Sequence, residues 1–453
     1  MSSWKQVRFS EICDITRGGS PRPIQEYMTN DGVPWIKISD ATASNSRFIE
    51  KTKEFIKTSG ISKSREVFPD DLILSNSATP GIPKFMRIYA CIHDGWLLLR
   101  NFNGAEKEFI YWLLLNERDK LIQQGNGSVF TNLKTDILKN HIVNIPDDIE
   151  EQKRIATILN NIQEKIELNT QINQTLEQIA QTIFKSWFID FDPVHAKAEA
   201  LANGQTAEQA TQAAMAVISG KNTQELHRLQ TANPKQYQQL WEIAEAFPSG
   251  VDEEGVPWGW EEKPLPELID FLEGPGIRNW QYTEEEDGIK FINIRCIKNG
   301  DLSLETANKI TREEAFGKYA HFQLKEDDIV ISTSGTLGRF ALVRNEHLPL
   351  CLNTSVIRFR PIENKSTLAF LLGLASNQLQ YELEARASGS VQRNFGPTHL
   401  KQISVLLPDF YLLSLHNKYI STLFELRKSN LRENDLLMKT RDVLLPKLLS
   451  GEV

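Results

Sequence analysis

The chain has few cysteines and no long apolar run. Only four of its 453 residues are cysteine, and they form neither a Cys-x-x-Cys pair nor a cluster with histidine: Cys13, Cys91, Cys296 and Cys351. This spacing argues against a disulfide scaffold and a zinc site, so we expect reduced, buried thiols. No stretch of about 18 apolar residues could span a bilayer, and the opening MSSWKQVRF lacks the apolar segment of a secretory signal. We therefore expect a cytoplasmic protein that does not contact a membrane.

The common motifs of nucleotide and base chemistry are also missing. There is no Walker A sequence, no Gly-x-Gly-x-x-Gly sequence, and no Asn-Pro-Pro-aromatic sequence that could hold an extruded adenine. The segment PDDIEEQK (146–153) superficially suggests a metal nuclease with Asp147, Glu151 and Lys153. Acidic residues are also favoured at the positive end of a helix dipole, and we interpret them in that way. We expect no catalytic residue and no metal site in this chain.

Negative charge is concentrated in one segment. The net charge is -8, and residues 190–262 alone contain twelve Asp and Glu against four Lys and Arg, which accounts for the whole imbalance. A negative protein binds nucleic acid poorly, because phosphate contacts need positive charge. The rest of the chain is neutral and can carry local basic faces, although an even mixture of surface charge fits the sequence equally well.

A long internal repeat runs through the chain. LKNHIVNIP (138–146) returns as LKQISVLLP (400–408), and PDDLILSNSATPG (69–81) returns as KEDDIVISTSGTLG (325–338). The start of the chain matches a second set of residues 256 positions later: Trp4, Glu11, Asp14, Gly18 and Arg22 correspond to Trp260, Glu267, Asp270, Gly274 and Arg278. Blocks that recur in the same order predict a duplicated domain rather than an array of short repeats.

Each repeat combines strand and helix patterns. VPWIKIS (33–39) and IKFINIRCI (289–297) alternate as half-buried strands do, while DDLILS and DDIVIS predict strands that enter loops of small residues. Residues 108–124 and 366–386 are apolar enough to form buried helices. The predicted fold class is therefore α+β, with two pseudo-repeated globular domains of mixed α/β structure.

A long helix is predicted after each repeat. The segment that follows Pro146 is almost free of Gly and Pro, and about 38 helical residues at about 1.5 Å each give a rod on the order of 57 Å. Its apolar stripe must pack against a partner, and the segment after Pro408 supplies one. The expected helix-pairing residues are Ile155, Ile162, Ile172, Leu176, Ile179 and Ile183 on the first helix, and Leu423, Leu431, Leu437 and Leu444 on the second. Asn169 and Asn434 fall near the stripes, where polar residues can fix the register at some cost in stability. Packing of each helix within its own domain is the alternative.

These features in this order resemble the specificity subunit of Type I restriction-modification systems. The likeness covers essentially the whole chain and includes WKQVRFSEICDITRGGSPRP at the start, FKSWFIDFDPV (184–194) and the tail LLPKLLSGEV. It implies two target recognition domains that each read half of an interrupted site in double-stranded DNA, held apart by the two helices as an antiparallel coiled coil. It also implies two modification subunits that methylate adenine, and restriction subunits that cut. S-adenosylmethionine, ATP and Mg²⁺ are then expected on those partners, with no cofactor bound by this chain.

The resemblance and the repeat together predict five segments. The first target recognition domain spans 1–148, and the first long spacer helix spans 149–189. An acidic connector of helices and loops covers 190–256; its part at 195–250 is not in the family pattern, and its role is open. The second target recognition domain spans 257–408, and the second long helix spans 409–453.

The candidate DNA-binding residues lie in three turns of each repeat. Arg can contact guanine through two hydrogen bonds, Asn and Gln can pair with adenine, and Ser, Thr and glycine-rich turns suit phosphates. In the first repeat the candidates are Arg17, Ser20, Arg22, Asn76, Thr79, Lys84, Asn126, Ser128 and Asn132. In the second they are Arg278, Asn279, Thr333, Ser334, Thr336, Arg339, Ser390, Gln392, Arg393 and Asn394. Any single one could instead be a turn former or a solvated charge.

Two other functional classes remain open from the sequence. A coiled-coil scaffold whose twin domains bind protein or peptide would have no DNA specificity, and its binding would lack the steep salt dependence of phosphate contacts. An enzyme with an unrecognised site is the third hypothesis, but the sequence shows no pairing of nucleophile and base.

Overall fold

A computed structural model describes residues 3–42, 46–124, 132–386 and 395–453. The chain divides into two compact units. Unit 1 combines Met1–Gln171 with Leu431–Val453, and unit 2 is Ile172–Asn430. Both boundaries between the units lie inside the two long helices, Ile149–Phe188 and Phe410–Ser450. Each unit therefore contains one mixed α/β domain and a segment of each long helix.

In the residues of unit 1 that the structure describes, there are two five-stranded sheets. The order of strands in the first is Asp14–Arg17, Trp96–Arg100, Leu72–Ser75, Pro83–Met86 and Phe48–Ile49. In the second it is Met28–Thr29, Phe55–Ile56, Val33–Ile36, Ala90–Ile92 and Arg65–Val67. A separate antiparallel pair joins Trp4–Arg8 to Ile142–Pro146. The helices of the domain are Phe9–Ile12, Ile38–Thr42, Lys107–Asn116, Arg118–Gln124 and Thr135–Asn140, with 3₁₀ turns at Ile24–Glu26 and Thr58–Lys63.

Apart from the undescribed residues 387–394, unit 2 contains two four-stranded sheets. The first has the order Ile269–Glu273, Val356–Pro361, Ile329–Ser332 and Phe340–Leu342, and the second has Tyr282–Thr283, Lys309–Ile310, Ile289–Phe291 and Leu350–Cys351. Two-stranded pairs join Glu261–Pro264 to Ser404–Leu407 and Ile297–Lys298 to Asp301–Leu302. The helices of the domain are Arg312–Phe316, Leu368–Asn377, Leu379–Arg386 and Pro397–Leu400, with 3₁₀ turns at Leu265–Glu267, Asn279–Gln281, Ile294–Cys296, Ala320–Phe322 and Asn345–His347.

The matching strand orders confirm the predicted duplication. In each unit the second sheet contains one parallel pair at the same place, Val33–Ile36 with Ala90–Ile92 and Ile289–Phe291 with Leu350–Cys351. The predicted strands DDLILS and DDIVIS are present as Leu72–Ser75 and Ile329–Ser332, whose residues are all buried.

Two predicted strands are shorter than the sequence pattern suggested. VPWIKIS leaves the sheet after Ile36, because a helix begins at Ile38. IKFINIRCI is interrupted by the 3₁₀ turn Ile294–Cys296. Alternation of apolar residues marked the buried side of both segments but did not show where the backbone turns out of the sheet.

The long helices are Ile149–Phe188, with 40 residues, and Phe410–Ser450, with 41. In unit 1, Ile155 shares a core cluster with Leu448, whereas Asn169 bonds to Asn434. In unit 2, Asn173 bonds to Asn430, and the ring of Trp187 lies 5.2 Å from that of His416. Residue numbers rise along one helix as they fall along the other, so the predicted antiparallel pairing is confirmed within each unit.

Burial along the seam corrects one predicted pairing residue. Ile179 is 41% exposed and faces outward. The deepest positions of the first helix recur every three or four residues, as in a coiled coil, and include Asn169 and Asn173 between Ile166 and Leu176. The sequence prediction placed Asn169 near the stripe but did not include Asn173, and its apolar spacing extended to Ile179 on the neighbouring face. The other predicted seam residues divide into buried Ile155 and Leu176 and half-buried Ile162, Ile172, Ile183, Leu423, Leu431, Leu437 and Leu444.

The acidic connector is a folded part of unit 2. Its helices are Asp192–Ala202, Ala207–Ser219, Thr223–Ala232 and Pro234–Ala246. Val194, Met215 and Leu240 belong to the same buried cluster as Phe184 of the first long helix. The Nζ of buried Lys197 donates to the backbone oxygens of Ala244 and Phe247, at 3.1 and 2.6 Å, at the C-terminal end of the fourth helix. The connector is therefore stabilised by packing and by a buried cation at a helix C-terminus, where positive charge is favoured.

All four cysteines are free and buried, as predicted. Burial raises the pKa of the Cys13 and Cys351 thiols to about 12, so both are protonated at neutral pH. Within the described ranges, no helix is both long enough and apolar enough to cross a membrane.

Candidate nucleic-acid interface

The first candidate turn of unit 1 contacts the connection His93–Gly95, which links the strands Ala90–Ile92 and Trp96–Arg100. A Cβ on Gly18 would lie 2.1 Å from the carbonyl oxygen of His93, so only glycine allows this approach. The Gly18 N–H donates to the Trp96 carbonyl at 2.9 Å, and the Gly19 N–H donates to the Ile92 carbonyl at 3.1 Å. The sequence TRGG is therefore held on the sheet by its backbone.

Asp94 contacts four of the predicted DNA-binding residues. Its carboxylate accepts a 2.7 Å hydrogen bond from the Ser20 hydroxyl and lies 3.8 Å from a guanidinium nitrogen of Arg17 and 3.8 Å from one of Arg22. Its backbone oxygen accepts from Arg17 Nε at 2.8 Å and from Asn76 Nδ2 at 3.2 Å. Asp94 is not among the residues predicted from the sequence, although His-Asp-Gly between two apolar runs is a turn signal that points to it.

The charges around Asp94 are fixed by these contacts. The Ser20 hydroxyl holds the pKa of the Asp94 carboxyl below its usual range, so this group is ionised at neutral pH. Burial lowers the pKa of His93, whose Nδ1 accepts a hydrogen bond from the Gly95 N–H, and the imidazole is therefore neutral. The Arg17 and Arg22 side chains remain 61% and 84% exposed. This corner of unit 1 thus presents two accessible cations next to one ionised carboxylate that is less exposed than either.

The second candidate turn has the same geometry in both units. The Ser75 hydroxyl donates to the Thr79 carbonyl at 2.6 Å, and the Gly81 N–H donates to the Ser75 carbonyl at 2.8 Å. In unit 2 the Ser332 hydroxyl donates to the Thr336 carbonyl at 2.6 Å, and the Gly338 N–H donates to the Ser332 carbonyl at 3.0 Å. Both glycines have positive φ, at 80° and 75°.

The predicted residues on this turn differ in exposure. Thr336 and Arg339 are exposed and bond to each other, Arg339 Nη2 donating to Thr336 Oγ1 at 3.1 Å. Thr79 is half-buried. Asn76, Thr333 and Ser334 are buried, which favours roles in holding the turn.

Lys84 lies inside unit 1 rather than on its surface. It is 4% exposed, and its Nζ donates to the Ser46 carbonyl oxygen. Burial lowers its pKa to about 8. A direct DNA contact would require this segment to open, so the buried position counts against the predicted role.

The third candidate turn is described only in part. Asn126, Ser128, Ser390, Gln392, Arg393 and Asn394 lie outside the described residues. Asn132 is exposed, and the next residue, Leu133, donates its N–H to the Asn76 carbonyl at 2.8 Å. In unit 2 the N–H of Phe395 donates to the Thr333 carbonyl at 3.0 Å. In both units the chain that leaves the third turn therefore bonds to the second.

Unit 2 builds its first turn with different chemistry. A Cβ on Gly274 would lie 2.0 Å from the carbonyl oxygen of Asn353, and the Thr354 N–H donates to the Pro275 carbonyl at 2.9 Å. Thr354 therefore stands in the turn where unit 1 has Asp94. Arg278 and Asn279 are exposed, and no ion pair to Arg278 is found in the part of the chain that the structure describes.

The residues that suggested a metal nuclease have separate partners. Asp147 pairs with Lys5 at 3.3 Å and accepts a hydrogen bond from Ser3 at 2.8 Å. Glu151 pairs with Arg154, and Lys153 pairs with Glu150, as neighbours on a helix do. Outside the gaps 1–2, 43–45, 125–131 and 387–394, no group of three or more His, Cys, Asp or Glu is placed to hold a metal ion. An ion pair to the N-terminal strand and two ion pairs between neighbours on the helix account for the segment.

Comparison with known proteins agrees with this architecture. A family model described as the Type I restriction modification DNA specificity domain matches residues 1–178 and 257–426. The chain is 32% identical over 478 aligned residues to the Type I restriction enzyme HindI specificity subunit of Haemophilus influenzae, with 100% of both chains covered. It is 23% identical to the MjaIX specificity subunit of Methanocaldococcus jannaschii, over 99% of this chain and 93% of that one.

A solved structure has the same fold. The crystal structure of the Type I restriction-modification S subunit from M. genitalium matches with a TM-score of 0.50 and 15% identity, covering 99% of this chain and 96% of that one. The family model covers well over half of the chain and matches it twice, once in each repeat. The chain therefore belongs to the family of Type I restriction-modification DNA specificity subunits.

Proposed function

We propose that the chain reads a bipartite, asymmetric DNA site, with one half read by each domain. The observation that carries this proposal is a shared scaffold with different side chains. Both units hold a glycine turn against the sheet, and both have a second candidate turn with the same serine bond. The side chains differ, because acidic Glu273 and uncharged Thr354 of unit 2 stand where unit 1 has Arg17 and Asp94. Equivalent turns that present different groups suit the reading of different bases.

Exposed groups of the right chemistry lie on these turns. Arg17 and Arg22 in unit 1, and Arg278 and Arg339 in unit 2, carry exposed guanidinium groups that could contact guanine or phosphate. Thr336 and Asn279 add an exposed hydroxyl and an exposed amide. The side chains held inside the domains, such as Asn76 and Thr333, would act by fixing the turns.

We further propose that chemistry is carried out by partner subunits. Two modification subunits would bind S-adenosylmethionine and methylate adenine, and restriction subunits would use ATP and Mg²⁺. The long helices, which contribute to both units, are the proposed spacer between the two readers. The assembly would act in the cytoplasm, where its DNA target is found.

Methylome sequencing of cells that express this chain with its modification subunits tests the proposal. We expect adenine methylation in an interrupted motif with two different halves, centred about one DNA turn apart, roughly 34 Å. Cells that lack only this chain are the control and should show no such motif. A continuous or perfectly palindromic motif would contradict the assignment of one half to each domain.

Duplex binding over a range of salt concentrations provides a direct biochemical test. If six or more phosphates are contacted, affinity should fall by about 10³-fold or more between 50 and 200 mM salt. Affinity for the duplex that does not respond to salt would contradict the proposed phosphate contacts.

A further inference from the structure

We propose that Asp94 is a positioning residue that orients Arg17, Ser20 and Arg22 toward DNA in the first domain. This inference rests on the proposed function, because it assigns a role within the same interface. Its basis is that one residue bonds to side chains from two separate turns, through both its carboxylate and its backbone.

The contacts divide between the two parts of Asp94. The carboxylate bonds to the Ser20 hydroxyl at 2.7 Å and lies between the two guanidinium groups of Arg17 and Arg22. The backbone oxygen accepts hydrogen bonds from Arg17 Nε and from the buried side-chain amide of Asn76. Arg17 is thus held at two points, which restricts a side chain that would otherwise be free to rotate.

Exposure decides between a role in folding and a role in orientation. The Asp94 side chain is 39% exposed, and its arginine partners are more exposed still. Ion pairs of this kind contribute little to the stability of a fold, because water screens them. They can still favour one arrangement of the guanidinium groups before DNA arrives, and pre-organisation lowers the entropic cost of binding.

The charge of Asp94 supports the same role. A lone carboxylate on a DNA-facing surface would repel phosphates, whereas this one lies between two cations that offset it. In unit 2, Thr354 occupies the corresponding turn and has no charge with which to hold Arg278. Positioning of arginine side chains by a carboxylate in this turn is therefore a feature of the first domain and not of the second.

The test uses the full chain assembled with its modification subunits. Binding is measured on duplexes that carry single base substitutions in either half of the methylated motif. For Asp94→Asn we expect the preference for the motif over substituted duplexes to fall on the order of tenfold, and only for substitutions in one half-site. A fall of this size corresponds to the loss of one good base contact. Discrimination in the other half and the melting temperature should stay at wild-type values. Asp31→Asn is the matched control, because it removes the same charge from an exposed position of the same domain.

A second variant tests the same contact without changing charge. Ser20→Ala removes the hydroxyl that bonds to the carboxylate, and we expect a smaller loss confined to the same half-site. Wild-type discrimination in both variants, or an equal loss in both halves, would overturn the positioning role. If Asp94→Asn fails to assemble, Ser20→Ala decides alone. Failure of the wild-type complex to prefer the motif would instead refute the proposed function.

Discussion

The side-chain amide of Asn169 donates a 3.0 Å hydrogen bond to Oδ1 of Asn434 in the buried seam of unit 1. Asn434 in turn donates to the Ile166 carbonyl at 3.3 Å, and Asn169 also donates to Glu433 at 2.8 Å. A buried polar pair fixes the register of two packed helices, because any slip would separate the two amides.

Replacing one member of this pair should be worse than replacing both. For Asn434→Leu we expect a loss of about 1–3 kcal/mol, because the buried Asn169 amide loses a partner. The double variant Asn169→Leu with Asn434→Leu should recover that loss, since two apolar side chains suit the seam. Urea unfolding of the three proteins measures the difference. A double variant less stable than either single variant would show that the pair adds net stability.

Burial predicts opposite outcomes for two neighbouring apolar residues on the first helix. Leu176 is 8% exposed, and Ile179 is 41% exposed. Leu176→Asp should lower stability by several kcal/mol, because it buries an unpaired carboxylate. Ile179→Asp, the matched control, should change the melting temperature little. Equal effects of the two changes on thermal unfolding would contradict the seam described for unit 2.

Arg22 and Arg278 should act alike, each as a phosphate contact of its own domain. They occupy equivalent turns, and an arginine present in both copies suits a common phosphate contact better than the reading of two different sequences. Each change to Ala should therefore weaken binding to all sequences and reduce the salt slope by about one unit. Binding at two salt concentrations to duplexes substituted in either half checks this. A loss of discrimination at one base pair, about 1–3 kcal/mol, would indicate a base contact instead.

His416 should make unit 2 sensitive to acid. It is fully buried among the rings of Phe184, Trp187 and Phe188, and burial lowers its pKa to about 3 from 6.5. The unfolded chain therefore binds the proton first as the pH falls, so stability is present above about pH 6.5 and is lost progressively toward pH 3. Between pH 7 and pH 5 we expect a loss of about 2 kcal/mol.

A substitution separates this effect from general acid unfolding. His416→Leu should not show the loss of stability between pH 7 and pH 5 that the histidine causes. Denaturant unfolding at the two pH values measures the free energy of unfolding of both proteins. A change of the exposed His227 to Asn should keep the wild-type response. The assignment fails if His416→Leu loses as much stability as the wild type.

Much of the fold could be predicted because the domain is duplicated, so the two copies can be compared with each other within one sequence. The phrases around Pro146 and Pro408 marked the end of each domain, and the small-residue loops after DDLILS and DDIVIS marked turns that proved equivalent bond by bond. The seam was harder to predict, because Asn169 and Asn173 are polar and yet buried. Apolar spacing alone therefore selected Ile179, one position away from the buried face.

The interface was predicted as a set of turns but not as a network. Arg17, Ser20 and Asn76 were each chosen for their own chemistry, while the residue that connects them lies 18 positions beyond Asn76 in a different turn. Lys84 shows the opposite error. Its charge suggested exposure, but tertiary packing directs its side chain to the Ser46 carbonyl.

The limits of unit 2 indicate where natural or laboratory recombination could exchange one reader for another. Ile172–Asn430 is a single uninterrupted stretch that contains its own sheets, the connector and the Asn173–Asn430 bond. The Asn169–Asn434 bond stays with the remaining part of the chain. A graft with crossovers between Gln171 and Ile172 and between Asn430 and Leu431 would keep both amide pairs intact. Crossovers at the ends of the second domain alone would instead divide the hydrophobic core that the connector shares with it.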